Sequence, residues 1–199
     1  MKLKTLSAAL AMVGLFSVTG AHAIGFVNGS FETGDTTGWT VSADGYGLNP
    51  FGTTYGSGMD GKYWAWVAGY EVPRYFEQTV GGLTASSVYK VKFIMASEHT
   101  NSDSVRVTAD GGSAMIFTAP PKSGAFWDTW VSKEYSFMAT GSSATIRFDT
   151  VGLNVGGYDV GIDNVTISGV PEPETYALML AGLGVVAGLA RRRSKALAA

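Results

Sequence analysis

The chain contains no cysteine. That absence excludes disulfide staples, thiolate metal sites, a thiol nucleophile and a lipid anchor on cysteine. Histidine is nearly absent as well: the 199 residues hold two, His22 and His99. A Ser-His-Asp triad in the folded part would need His99 as its base, and no Gly-x-Ser-x-Gly elbow accompanies it. Positive charge is scarce in the middle of the chain. Between Ile24 and Gly169, eight Lys and Arg stand against 14 Asp and Glu, a net charge of −6, and no basic cluster occurs. Phosphate backbones call for such clusters, so no nucleic-acid partner is expected. Asp35 to Asp44 lacks the acid spacing of an EF-hand loop.

What is present begins with a leader. Lys2 and Lys4 make a positive start, Leu6 to Val18 is a short apolar run, and Ala21-His22-Ala23 is a small-x-small cleavage site. This is the pattern of a secretory signal peptide over residues 1–23. The run is short for a membrane anchor, and the mature chain is expected to begin at Ile24.

The other end is equally ordered. Val170-Pro171-Glu172-Pro173-Glu174 is an extended, charged stop, because proline fixes φ and biases the preceding residue away from helix. Tyr176 to Ala190 follows without a charge, and Arg191, Arg192 and Arg193 close the segment. Its 15 residues span about 22 Å as a helix, short of the roughly 30 Å hydrocarbon core. Tyr176 at one interface and snorkelling arginines at the other narrow the gap, and the arginines stay on the cytoplasmic side. Gly184 and Gly188 form a GxxxG that can pack helices or be incidental.

This order of motif, short apolar helix and basic end resembles the PEP-CTERM sorting signal of Gram-negative bacteria, over about the last 28 residues. The resemblance implies recognition by an exosortase, a membrane transpeptidase that cuts near the motif and releases or transfers the body to the cell surface. The residues carried over are Pro171, Glu172 and Pro173, with Arg191 to Arg193 as the basic end. It also implies export through the inner membrane, transient anchoring by the C-terminal helix, and a link to exopolysaccharide and biofilm matrix. The plain alternative is a tail-anchored protein.

Residues 24–169 read as one all-β domain, ahead of a sorting tail at 170–199. Tyr89, Val91, Phe93 and Met95 alternate with Lys90 and Lys92; Val105 and Val107 flank Arg106; Ala144, Ile146 and Phe148 alternate with Thr145, Arg147 and Asp149. Period-two runs with one apolar face argue half-buried antiparallel strands. Gly81-Gly82, Asp110-Gly111-Gly112, Pro120-Pro121 and Gly156-Gly157 separate them. Asp110-Gly111 is placed to close a hairpin between 103–108 and 114–118. The expected fold is an antiparallel β-sandwich.

Asn28-Gly29-Ser30-Phe31-Glu32-Thr33-Gly34 with Gly38-Trp39, and Gly161-Ile162-Asp163-Asn164-Val165-Thr166-Ile167, resemble the opening and closing segments of galactose-binding-like jelly rolls, which include carbohydrate-binding modules. Gly61 to Trp66 and Phe76 to Val80 sit where that fold places early strands. Such jelly rolls often hold a structural calcium near the chain ends, and Glu32 and Asp163 match those positions; oxygen ligands suit Ca²⁺. Parity puts Asp163 in phase with Val165 and Ile167, facing the core, where a bare carboxylate is costly. Without an ion, Asp163 caps a turn and Glu32 is solvated.

Trp64 and Trp66 lie two apart and share a strand face; Trp127 and Trp130 flank another loop–strand junction. Sugars present apolar C–H faces that aromatic rings can cover while polar neighbours read the hydroxyls. These four are the candidate carbohydrate-binding residues, against the alternative that they fill the core. Glu98, His99 and Asp103 could form a small metal or binding site. No catalytic residue is named. Glycosidases place two carboxylates across a cleft, no recognisable motif holds such a pair, and the chain is not expected to be an enzyme. The expected function is a surface or matrix protein binding carbohydrate or exopolysaccharide. The alternative is a structural biofilm-matrix or adhesion protein without a small-ligand site, and the third reading is a hydrolase.

Overall fold

A computed structural model describes residues 24–42, 61–68, 74–110, 112–124, 127–151, 159–171 and 178–188. The leader at 1–23, Glu172, Pro173 and Arg191 to Arg193 lie outside them. The described strands are β1 (Thr40–Val41), β2 (Ala65–Ala68), β3 (Tyr75–Gly81), β4 (Val88–Ser97), β5 (Ser104–Ala109), β6 (Met115–Thr118), β7 (Val131–Met138), β8 (Ser143–Thr150) and β9 (Asp159–Gly169). A helix, α1, covers 178–188 and is exposed along its length. No helix among the described residues is long and apolar enough to cross a membrane.

The strands form two antiparallel sheets, ordered β1-β3-β8-β5-β6 and β2-β9-β4-β7. Alternation builds the core between them. In β4, Tyr89, Val91, Phe93 and Met95 are buried, while Lys90 faces out and binds Glu134 of β7 at 2.6 Å. Phe93 meets Phe148 of the opposite sheet edge-on at 5.2 Å, and Phe148 stacks on Phe76 at 4.8 Å. Trp39 also fills the core, edge-on to Phe76 at 5.0 Å, with its indole N–H donating to Asn28 O at 3.0 Å. Tyr135 of β7 crosses the sandwich: its hydroxyl accepts from Ala109 N at 3.1 Å and donates to Ser113 O at 2.9 Å. The hairpin expected at Asp110 is present as β5–β6.

One expectation is corrected. Asp163 is not in phase with Val165 and Ile167. The β4–β9 register shifts between Lys92 and Ile94, so that Ile94 pairs with Asp163 whereas Lys92 pairs with Thr166. Asn164, at φ +50°, is the bulged residue. An extra residue in one strand reverses the side-chain parity beyond it. Val165 and Ile162 therefore both reach the core, while Asp163 points with Ile94 to the outer face of the four-stranded sheet, where it is still wholly buried.

The sandwich has two unlike ends. At one, short turns follow β3, β5 and β7. At the other, connections leave Ser42, Ala68, Ser97, Thr118 and Thr150, and return to Tyr75, Ser104, Val131 and Asp159. β9 starts at this loop-rich end and finishes at the other, about 33 Å away for its 11 residues. The C-terminal segment thus departs from the end opposite the long connections.

Candidate functional site

The outer face of the four-stranded sheet carries the tryptophans. Ala65 and Val67 of β2 enter the core, so Trp64 and Trp66 project from the other side. Trp66 pairs with Gly161 of β9, and Gly161 with Ala96 of β4. Those two small residues leave a shallow floor, and Trp127 and Trp130 lie on it. A β-carbon at Gly161 would come within 2.8 Å of Trp127 Cδ1 and 3.0 Å of Trp130 Cη2. Trp64 packs against both, at 5.9 Å and 6.2 Å between ring centroids. The structure thus brings Trp64, Trp127 and Trp130 together, with Trp66 paired across the sheet to the glycine beneath them. Trp64 is 1 % exposed and is the buried floor of the cluster; Trp66, Trp127 and Trp130 are partly exposed. The indole nitrogens of Trp64 and Trp130 are buried without a hydrogen-bond partner.

The connection holding Trp127 is pinned. The Asp128 carboxylate accepts from Ser123 N and Ser123 Oγ, both at 2.9 Å. The Ser123 N–H foremost holds the Asp128 carboxyl down, to about 2. Trp127 N donates to Ser97 O at 3.2 Å, and Lys122 N to His99 O at 2.8 Å. Trp127 itself sits at φ +48°, a left-handed conformation costing about 1–2 kcal/mol for a residue with a side chain. The ring is therefore placed by its surroundings and not by its own preference.

Next to this cluster the acids gather. Asp159 pairs with Ala68 on one side, and on the other Glu98 N donates to Asp159 O at 3.1 Å. The Glu98 and Asp159 side chains are in hydrogen-bond contact. Burial first, then the Glu98 charge, pushes the Asp159 carboxyl up to about 7. Asp103 is buried and raised by burial, while the Ser97 hydroxyl hydrogen-bonds its carboxylate. His99 Nδ1 lies 3.8 Å from both Glu98 and Asp103. The polar loop at 98–103 is thus a real cluster, and Asp159, from the far end of the chain, is the member that sequence reasoning missed. No three acidic or histidine side chains among the described residues are arranged to hold a metal.

Glu32 is exposed on a turn tied to β9, the strand that carries the buried Asp163. Glu32 Oε1 accepts from Lys62 N and Tyr63 N, each at 2.7 Å. Gly61 makes room, since a β-carbon there would overlap the Glu32 carboxylate. The turn that bears Glu32 is tied to β9 by Val165 N and Gly29 O at 2.8 Å. Asp163 Oδ1 accepts from Asn164 N at 2.6 Å. Carboxylate oxygens suit a hard cation in donor chemistry, and such a cation usually takes about six to eight oxygens. Glu32 is not simply solvated, being bound to two amides.

A second surface, on the outer face of the five-stranded sheet, was not singled out from the sequence. It is a groove of about 700 Å³ lined by Glu77, Arg106, Thr108, Asp110, Thr145, Arg147 and Asp149, among others. Arg147 Nε binds Glu77 Oε2 at 2.6 Å and its guanidinium covers the Tyr75 ring at 4.0 Å. Arg106 Nη2 lies 2.5 Å from Asp149 Oδ1. Both arginines are paired with acids, and no aromatic side chain is among the described residues that line the groove, so a sugar would have to break existing pairs to bind there.

The fold has known counterparts. It is similar to TmCBM61, solved in complex with β-1,4-galactotriose, at 22% identity and a TM-score of 0.52, over 73% of this chain and 98% of that one. A family 16 carbohydrate-binding module aligns at 17% identity and a TM-score of 0.50, over 72% and 98%. The enzymatically active domain of tailspike protein 4 of bacteriophage CBA120 aligns at 16% identity and a TM-score of 0.52; the alignment covers 72% of this chain but only 21% of the tailspike. The likeness is one of fold, a jelly-roll β-sandwich. A search of curated protein sequences finds no match to the chain. Residues 169–194 match the PEP-CTERM protein-sorting motif.

Proposed function

We propose that this is an exported cell-surface or matrix protein, sorted by an exosortase, whose sandwich binds carbohydrate at the tryptophan-lined, loop-rich end. One observation carries the reading: Trp127 and Trp130 are seated, partly exposed, on Gly161, beside carboxyl groups and at the end opposite the sorting motif. Flat rings take the apolar face of a sugar, and neighbouring polar groups take its hydroxyls. The chain leaves the sandwich for the sorting motif at the opposite end, after Gly169. The same reading includes a structural calcium at Glu32 and Asp163.

The protein acts by binding and not by catalysis. Ser97 is buried and its hydroxyl is committed to Asp103 and, at 2.9 Å, to Asn101 O, so it is no nucleophile. Glu98 and Asp159 touch, whereas glycosidase carboxylates stand about 5 Å or more apart to admit the scissile bond. The structural-matrix reading has its own support: β6 is an edge strand with Met115 and Ile116 exposed, and such edges favour self-association.

The test is a screen of the full-length chain in mild detergent against a polysaccharide array that includes the host's exopolysaccharide. Saturable binding lost in a folded Trp127→Ala variant establishes the site. Absence of binding by folded protein transfers the assignment to a structural role. For sorting, alanines at Pro171, Glu172 and Pro173 should leave an uncut precursor in the membrane; normal processing beside the cognate exosortase would contradict it.

A further inference from the structure

We infer that the ligand of the tryptophan end carries a free primary amine: an amino sugar unit whose ammonium sits between the indoles and the Glu98–Asp159 pair. The inference rests on the glycan reading above and narrows it.

The sheet register lays out the site. Trp66, Gly161 and Ala96 form one cross-strand row on the outer face, and Ala68, Asp159 and Glu98 form the next. Rows two residues apart along a strand are about 6.6 Å apart, roughly the width of a sugar ring. The aromatic surface and the acids are therefore neighbours on one wall. Three acidic side chains converge there, Glu98, Asp103 and Asp159, with His99 between two of them. The charges acting on Asp159 are Glu98 and Asp103, both negative.

The cluster also keeps unsatisfied polar atoms. Trp64, 1 % exposed, packs against Trp127 and Trp130 and keeps its Nε1 buried without a partner. Trp130 Nε1 and Asp159 Oδ1 are likewise buried without one. Buried donors and acceptors are normally paired, so this set points to a missing ligand. Hydroxyl oxygens suit the two indole N–H groups. The acid oxygen, among like charges, calls for a cation, and an ammonium is attracted to indole faces as well as to carboxylates. The raised Asp159 carboxyl, held up by burial and by Glu98, behaves as an acid lacking its counter-charge. A metal would need a ligand cage, which the described residues do not form.

The experiment is calorimetric titration of the full-length chain with chitosan oligosaccharides, their fully N-acetylated forms, and neutral β-1,4-glucan oligosaccharides. The free-amine series should bind at least about 10-fold tighter than the acetylated one. Asp159→Asn, close in shape, should remove that preference, whereas Trp127→Ala should weaken binding of both series. Equal affinity for free and acetylated forms overturns the amine inference and leaves the glycan reading standing. A preference for the amine that survives Asp159→Asn marks general charge attraction and overturns it as well. If no series binds a chain that circular dichroism shows to be folded, the glycan reading itself fails, and the amine inference with it.

Discussion

Gly161 lies directly beneath the indoles of Trp127 and Trp130, so close that a β-carbon would reach within 2.8 Å of Trp127 Cδ1. The glycine is there for that approach and not for its backbone, since it is not among the residues at positive φ. Gly161→Ala should push both rings off the sheet. Overpacking of this kind costs about 1–3 kcal/mol, and glycan affinity should fall about 10-fold. Thermal unfolding and titration read the two effects. Unchanged affinity would show that the seating of the rings does not make the site.

Trp64 and Trp127 should separate stability from binding. Trp64 is a buried floor, so Trp64→Ala opens a cavity and should cost about 3–5 kcal/mol. Trp127 is partly exposed and carries its own backbone strain at φ +48°, so Trp127→Ala should cost under about 1.5 kcal/mol while abolishing glycan binding. Denaturant titration with affinity measurements on both variants checks this. A Trp127→Ala chain as unstable as Trp64→Ala would make Trp127 a core residue.

The strands were legible because alternation states which side chains are buried: the run from Val88 to Met95 became β4, and Ala144 to Phe148 lies within β8. The bulge at Asn164 was not. Nothing in Asp163-Asn164-Val165 announces an extra residue, and a single insertion reverses every side chain beyond it. The four tryptophans are equal candidates in the sequence, which cannot tell Trp64 from Trp66: they share a face and differ in what lies above them. Asp159 joins Glu98 across 61 positions, and Glu77, Arg147, Arg106 and Asp149 assemble only through the β3–β8–β5 register. Register belongs to the tertiary structure. Residue spacing along one strand cannot supply it.

The groove offers a control. Arg147→Ala removes the pair with Glu77 and the cover over Tyr75, both partly exposed, and should cost about 1 kcal/mol. Glycan affinity should stay within about twofold, because the groove and the tryptophans lie on opposite sheets and distant sites act independently. Binding lost on Arg147→Ala would relocate the site to the groove.

Stability should fall as pH rises from about 4 to about 7, and level off above. The Asp159 carboxyl, raised to about 7 from an ordinary 3.8, keeps its proton in the folded chain where the unfolded chain has lost it. The folded state binds more protons across that window, so raising pH disfavours it. Asp103 and Asp149, raised by burial, act in the same sense. Asp35, Asp128 and Glu134 are held low and act oppositely, below the window. Asp159→Asn should flatten most of the slope in a series of melting curves. An undiminished slope would place the titrating group elsewhere.

Calcium removal tests the junction at Glu32 and Asp163. Asp163 is wholly buried, and an ion that binds only the folded state stabilises it by mass action. The melting temperature should therefore drop when a chelator replaces calcium, and Asp163→Asn should erase the difference between the two conditions. Glu32→Ala should lower the melting temperature even in chelator, because it also strips the acceptor from Lys62 N and Tyr63 N, a loss of about 1–3 kcal/mol. Identical melting of the wild-type chain with and without calcium would remove the ion and leave Glu32 as a clamp between two backbone segments.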